Sequence, residues 1–367
     1  MKTKYLALPI LLLSFVSCKK EIETQSDNKT VMDSTFCNRL MPDLGGGVTG
    51  ADGAISIDLK NGKSLFMWGD AFFGDVNKGV RADPSPLVMG NIFTTIDDKE
   101  IKNYYNGTNL KPSSYITASP VGKFPTWYWP GNGFVRDGVL HLFMSKFHRE
   151  GEGMFAFVYD TCDYLTLDAN TLKELSRDNF PAANINKVHY GHAVLDDGEY
   201  IYSYGTRVDG PNGWANVHVA RAILKEGKLT DWHYYTGKDW SKDPLKSQKI
   251  AGLSQSVSEQ FNVIKINDKY ILVTQDRTKN VKDVYSFISD KPEGNFYHEK
   301  LIYTVNEPDY DKKKMMTYNT MVHPQYIKDG KILMCYNVNT WDFFSHYKDA
   351  SLYKPRFFWL PLSKILE

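Results

Sequence analysis

Short runs of alternating apolar and polar residues recur along most of the chain, and no long stretch repeats apolar residues at helical spacing. The nearest helical pattern, Asp168 to Leu175, is too short to organise a domain. One unit occurs five times: a short run, a turn built on Gly or Asp, then a run rich in apolar and aromatic residues. The turns are Asn61-Gly62, Asp137-Gly138, Asp197-Gly198, Asn267-Asp268 and Asp329-Gly330. Such pairs tolerate the positive φ angles of a tight hairpin. The strands expected after them are Ser64–Trp68, Val139–Met144, Tyr200–Tyr204, Tyr270–Thr274 and Lys331–Tyr336. Successive turns lie between about 60 and 76 residues apart, room for four strands and their loops. The pattern predicts an all-β fold, a five-bladed β-propeller with four-stranded blades. A β-sandwich would space its turns more closely and evenly and would give no reason for the five-fold likeness.

The start of the chain follows other rules. Lys2 and Lys4 precede an apolar run from Tyr5 to Ser17, too short to span a membrane and typical of a signal peptide. The run ends in Phe15-Val16-Ser17-Cys18, which resembles the lipobox of bacterial lipoproteins, with Phe15 where Leu is usual. That resemblance implies a lipidated Cys18 as the new N-terminus; an ordinary secretory signal cut nearby is the alternative. Lys19 to Ser34 is polar and charged, with too few apolar residues to order itself. The expected organisation is a signal peptide over 1–17, a flexible tether over 18–35 and one propeller domain over 36–367. The protein is expected to be exported, lipid-anchored to a bacterial membrane (the outer one first of all) and monomeric.

With 44 Lys plus Arg against 43 Asp plus Glu, no excess charge points to nucleic acid or another polyanion. Besides Cys18, three cysteines remain, Cys37, Cys162 and Cys335, with no CxxC and no zinc spacing. Cys335 reads as a small buried hydrophobe, and a disulfide from Cys37 is left open. The chain carries 23 Tyr, 20 Phe and 8 Trp. Their flat faces suit sheet packing first and sugar stacking second.

In a propeller, the starts of the first strands and the ends of the second strands converge on one funnel. The residues expected there are Asp52, Asn132, His192, Glu259 and His323 from the first set. The second set supplies Asp70, Lys146 with His148, Arg207, Asp276, and Asn337 with Asn339. The first blade is the most distinctive, with Gly50-Ala51-Asp52-Gly53 before one strand and Met67-Trp68-Gly69-Asp70-Ala71-Phe72-Phe73-Gly74 after the next. A hairpin brings Asp52 and Asp70 to neighbouring strand ends. Two carboxylates so placed are what glycosidic cleavage uses, one to protonate the leaving oxygen, the other to activate water or attack the anomeric carbon. Asp58, by contrast, reads as a turn cap.

The first-blade pattern resembles a bacterial group of five-bladed propellers long catalogued as domains of unknown function, part of which is recognised as an endo-D-arabinanase family. The likeness continues through WYWPGNGF (Trp127 to Phe134), YIYSYGTR (Tyr200 to Arg207) and SEQFNVI (Ser258 to Ile264). It runs on through YNTMVHP (Tyr318 to Pro324), CYNVN (Cys335 to Asn339) and YKPRFFWLP (Tyr353 to Pro361), nearly the whole mature domain. It implies Asp52 and Asp70 as the catalytic pair and a furanose-containing polysaccharide, such as D-arabinan, as substrate. A broader likeness to furanosidase propellers implies a later Glu as proton donor. Glu259 fits in outline but stands in Glu-Gln-Phe rather than before a small residue and proline. The arginine triad of sialidases is not evident.

Substrate contacts are expected from Trp129, His192, Arg207, Glu259, Asp276, His323, Asn337 and Arg356, with Trp127 and Trp214 as further stacking candidates. Arg356 also has a structural reading. No cofactor is required, and no metal ligand is assigned. A structural or channel ion is left open, because related propellers hold one and His192 and His323 both begin blades. The chain has no GxSxG, P-loop, HExxH or dinucleotide fingerprint. The reading reached is a glycoside hydrolase, the alternative being a sugar-binding propeller without catalysis. A protein-binding scaffold would need no carboxylate pair.

Overall fold

The computed structural model describes residues 29–82, 84–153 and 156–367. The expected signal peptide, Cys18 and most of the expected tether lie outside these residues. Among the described residues, besides three smaller sheets, four antiparallel sheets of four strands and one of five, the third, follow one another as blades. Their innermost strands are Ile55–Asp58, Thr126–Arg136, His189–Asp196, Asn262–Ile266 and Met315–Lys328. Each touches the innermost strand of the next blade, and the fifth touches the first, so the ring closes. This is a five-bladed propeller, as the turn pattern predicts.

All five expected turns join the first strand of a blade to its second. Asp137-Gly138 and Asp329-Gly330 take positive φ at both positions, the conformation that matches the twist of a two-residue hairpin. The second strands are continuous apolar runs because neighbouring blades cover both faces. Leu65, Phe66, Met67 and Trp68 are all fully buried, and Phe66 stacks on Trp68. Asp168 to Leu175 forms a turn rather than a helix. The Asp168 carboxylate accepts hydrogen bonds from the backbone amides of Asn170 and Thr171, an Asx-type turn.

The fifth blade is assembled from both ends of the chain. Its outermost strand is Val31–Met32, paired with Arg356–Pro361. The expected tether is therefore too long at its C-terminal end, since residues 31–35 belong to the domain. Asp33 secures the junction. One carboxylate oxygen accepts from the Phe36 amide at 2.9 Å, capping the helix Ser34–Leu40, and the other accepts from Trp359 Nε1 at 2.9 Å. A run of only two strand residues was below what apolar alternation can register.

Three innermost strands carry a β-bulge early in their course, between Pro130 and Gly133, Tyr190 and Ala193, and Tyr318 and Met321. A bulge re-aims the side chains beside it, and the residues facing the funnel are those at or before these breaks. Among the described residues, Cys37, Cys162 and Cys335 are buried free thiols. No disulfide from Cys37 is formed there, and Cys335 sits in the core as expected.

Candidate active site

The first-blade hairpin is longer than one blade requires. Below the break it pairs Ile55–Asp58 with Ser64–Trp68; above it, Val48–Ala51 pairs with Ala71–Phe73 in a small separate sheet. Between the two ladders lie Asp52-Gly53-Ala54 on one side and Gly69-Asp70 on the other. Gly53 and Ala54 take positive φ, which ends the regular ladder. Two backbone bonds bridge the gap, Gly69 N–H to Asp52 O at 2.9 Å and Asp52 N–H to Asp70 O at 3.4 Å. Asp52 and Asp70 are thus neighbours in the interrupted register. Gly69 is required by contact: a Cβ there would lie 2.4 Å from Asp52 Oδ1.

The two carboxyls have different partners. Asp70 Oδ1 accepts from Trp129 Nε1 at 2.8 Å and from the Gly90 amide at 2.9 Å. Asp52 Oδ2 accepts from the Tyr318 hydroxyl at 2.7 Å, and the buried Tyr353 hydroxyl lies beside the same carboxyl. Indole and amide N–H groups can only donate, so they require an acceptor at Asp70. A phenol can donate or accept, so Tyr318 tolerates Asp52 in either protonation state. Burial, and then the charge of Asp70, push Asp52 up to about 7. Burial also raises Asp70, opposed by the bonds from Trp129 and Gly90. The result is a pair in which Asp70 ionises first and its charge holds the proton on Asp52.

A second cluster lies at the blade 3 and blade 4 starts. Glu259 Oε1 is 3.0 Å from His189 Nδ1 and 3.2 Å from His192 Nε2, while Oε2 accepts from Arg277 Nη1 at 2.6 Å. Burial would raise this carboxyl, but the bond from His189 and the closeness of the His192 imidazole outweigh it and hold Glu259 well below the usual carboxylate range. The next residue, Gln260, donates from Nε2 to Pro130 O at 3.0 Å and accepts at Oε1 from Asn319 Nδ2 at 3.2 Å. Pro130 follows Trp129 and Asn319 follows Tyr318, so the partners of Asp70 and Asp52 are tied through Gln260 to the Glu259 cluster.

Other expected funnel residues have different surroundings. His323 is fully buried, 2.7 Å from Ser56 Oγ and 3.3 Å from Cys335 Sγ, between the rings of Phe66 and Phe357. Burial lowers its imidazole to about 3, so it is a neutral core residue and contacts no substrate. The expectation placed the strand start after His323, whereas the strand begins at Met315. Asn337 is likewise fully buried and donates to the carbonyls of Tyr318 and Asn319, bracing their bulge. Asp276 is buried, and its carboxylate accepts from the amides of Thr278, Lys279 and Asn280, which caps a loop. Arg356 forms a two-pronged pair with Glu307 and donates to the Ser351 and Lys354 carbonyls; its structural reading holds. Asp276, His323, Asn337 and Arg356 are therefore corrected from substrate contacts to scaffold.

Arg207 pairs with Asp209 at 2.9 Å, not with Glu259. Lys146 donates to Ser119 at 2.9 Å and His148 pairs with Asp160 at 2.8 Å. Asn132 is buried and bonds to the Gly133 amide. Trp127 is buried and cannot stack on a sugar, whereas Lys279 covers the Trp214 ring. Asp58 caps its turn through the Lys60 amide at 2.8 Å.

Four residues of this region escaped the sequence reading: Tyr318, Tyr353, His189 and Arg277. Tyr318 opens the YNTMVHP segment, and Tyr353 opens YKPRFFWLP. His189 and His192 stand three apart, a spacing that points to opposite faces of a regular strand. The bulge between Tyr190 and Ala193 turns both toward Glu259 instead.

Three solved structures are similar to this chain to different degrees. A crystal structure from Bacteroides ovatus, provisionally described as a hydrolase, superposes with a TM-score of 0.73 over 90% of this chain and 89% of that one, at 19% identity. A GH43_1 enzyme of Xanthomonas citri complexed with xylotriose gives a TM-score of 0.48 at 12% identity, covering 88% and 91%. A mutant α-L-arabinanase of Cellvibrio cellulosa gives 0.45 at 11% identity, covering 84% and 91%. No curated protein matches the sequence. The family model described as Domain of unknown function (DUF5005) matches residues 38–361, nearly all of the propeller, and the chain belongs to that family.

Proposed function

We propose that this propeller is a glycoside hydrolase that cuts a furanose-containing polysaccharide, with D-arabinan the first substrate to test. The observation that carries the reading is the Asp52–Asp70 pair, two neighbouring carboxyls whose partners separate their protonation states. Asp52, held protonated, is the acid that gives its proton to the leaving glycosidic oxygen. Asp70, held ionised by donor-only groups, activates a water or attacks the anomeric carbon. Trp129 keeps Asp70 an acceptor, and Tyr318, donating to Oδ2 of Asp52, leaves the carboxyl's proton to Oδ1. The alternative donor, Glu259, is the weaker candidate because its oxygens already face His189, His192 and Arg277.

The test is a screen of arabinans, arabinogalactan and fructans with product sizes measured by chromatography. Release of oligosaccharides from a furanose polymer is the expected result. Retention of a glycan with no release from any would replace the hydrolase with a sugar-binding propeller.

The proposal includes anchorage to a bacterial membrane through lipid on Cys18. The expected outcome for Cys18→Ala is a protein released from the membrane fraction, scored by immunoblot after fractionation. Unchanged membrane attachment of that variant would refute the anchor.

A further inference from the structure

We infer that His189, His192 and Glu259 form a binding site for one divalent cation of the zinc class, independent of which bond the propeller cuts. The three residues offer two imidazole nitrogens and a carboxylate oxygen, all within 4.8 Å of one another. Glu259 Oε1 lies 3.0 Å from His189 Nδ1 and 3.2 Å from His192 Nε2. Ligands bound to zinc at ordinary lengths in a tetrahedron stand about 3.3 Å apart along each edge, so small adjustments would seat an ion.

The surroundings fit a ligand set better than a plain ion-pair network. His192 is buried, its side chain 4% exposed, and neither ring nitrogen has a hydrogen-bond partner. Nε2 nevertheless faces Glu259 Oε1, without the alignment of a hydrogen bond. A lone pair so placed is satisfied by a cation between the two atoms. Arg277 holds Glu259 Oε2 at 2.6 Å, leaving Oε1 as the single oxygen turned toward both histidines. That is the orienting role an outer partner plays for a ligating carboxylate. Tyr159 stacks on the His189 ring with centroids 3.9 Å apart, which fixes the plane of that ligand. The His189 and Glu259 side chains are 32% and 31% exposed, so an ion could enter and keep a position open to a water or a sugar hydroxyl.

The donor set also selects the ion. Calcium and magnesium take oxygen ligands almost exclusively, whereas two imidazoles with one carboxylate suit transition-metal ions such as zinc, iron(II), copper or nickel. His323 is bonded to Ser56 and is no part of this cluster.

The full chain, stripped with a chelator, is titrated with ZnCl2 and separately with CaCl2 by calorimetry. The expected result is one equivalent of Zn2+ bound in the micromolar range or tighter, and no saturable calcium binding. Co2+ should give the visible absorption bands of a low-coordinate nitrogen and oxygen site. His189→Ala and Glu259→Gln should each weaken zinc binding by about 10- to 100-fold or more, at least the loss typical of outer-partner changes. Zinc should also raise the Tm of the unmutated chain, a reading that needs no variant. Absence of zinc binding, preference for calcium, or stoichiometric zinc uptake that survives loss of both histidines would overturn the site. Since none of these measurements uses turnover, failure of the hydrolase reading would leave them unaffected.

Discussion

Asp70→Asn is expected to lower turnover of the glycan identified by the screen by about 10²–10⁴-fold, the range supplied by acid–base participation, while leaving the propeller folded. The reason lies in the partners. Trp129 Nε1 and the Gly90 amide donate to Oδ1, and the carbonyl oxygen of an asparagine accepts from both. Position and hydrogen bonds are kept; the negative charge that activates water or attacks is lost. A kcat reduced in that range with a thermal transition no lower than that of the unmutated chain is the expected pair of measurements. Undiminished kcat in Asp70→Asn would remove the mechanism proposed here, whatever the substrate.

Asp52→Asn is expected to lower turnover as severely but to stabilise the fold at alkaline pH. Burial and the charge of Asp70 raise the Asp52 carboxyl from its ordinary 3.8 to about 7. The folded state therefore holds this proton more tightly than the unfolded chain. That contribution is fully present below about pH 4, diminishes as pH rises, and is gone above about 7. An amide needs no proton, so the variant escapes the loss. At pH 8 its Tm should exceed that of the unmutated chain, by roughly 1–2 °C for each kcal/mol of repulsion and desolvation relieved in a domain of this size. At pH 4 the two should be close. If the proposed acid role is right, the unmutated chain should also lose kcat/KM on the alkaline side with an apparent pKa near 7 as Asp52 deprotonates. Parallel Tm profiles from pH 4 to 8 for the two proteins would show that Asp52 is not held protonated. Both variants lose activity, and either relieves the repulsion between the two buried carboxyls at alkaline pH.

The carboxylate pair was legible because it is a short-range feature. Asp52 and Asp70 flank a single hairpin whose turn, Asn61-Gly62, sets the register, so counting back from the turn brings the two together. The same logic failed for His323. It was counted from Asp329-Gly330 as though the strand were short, but the strand runs from Met315 to Lys328 and is interrupted by a bulge after Tyr318. The funnel residues of that blade are Tyr318 and Asn319, and His323 is carried down into the core. Asp276 stands just past its strand, which ends at Gln275, and Asn337 lies within Lys331–Thr340, yet their polar atoms serve loop and bulge backbone rather than the cavity. A polar residue at a strand end reports that a backbone group needs a partner as often as it reports a site.

What the sequence determined by itself was the number of blades, their turns and the first-blade pair. Each rests on interactions between residues close in the chain: positive φ at Asn-Gly and Asp-Gly, apolar runs fit for burial on both faces, and one hairpin register. What only the tertiary structure decided was the company each charge keeps. Tyr318 reaches Asp52 across 266 residues and Glu259 reaches His189 across 70, distances over which no local pattern constrains the pairing. Ring closure supplies those encounters. The outermost strand of the fifth blade, Val31–Met32, closes the ring against Arg356–Pro361, and closure brings the last blade's Tyr318 to the first blade's Asp52. The protonation states of the pair depend on that encounter and on burial, because desolvation and neighbouring charge exist only once the blades have packed.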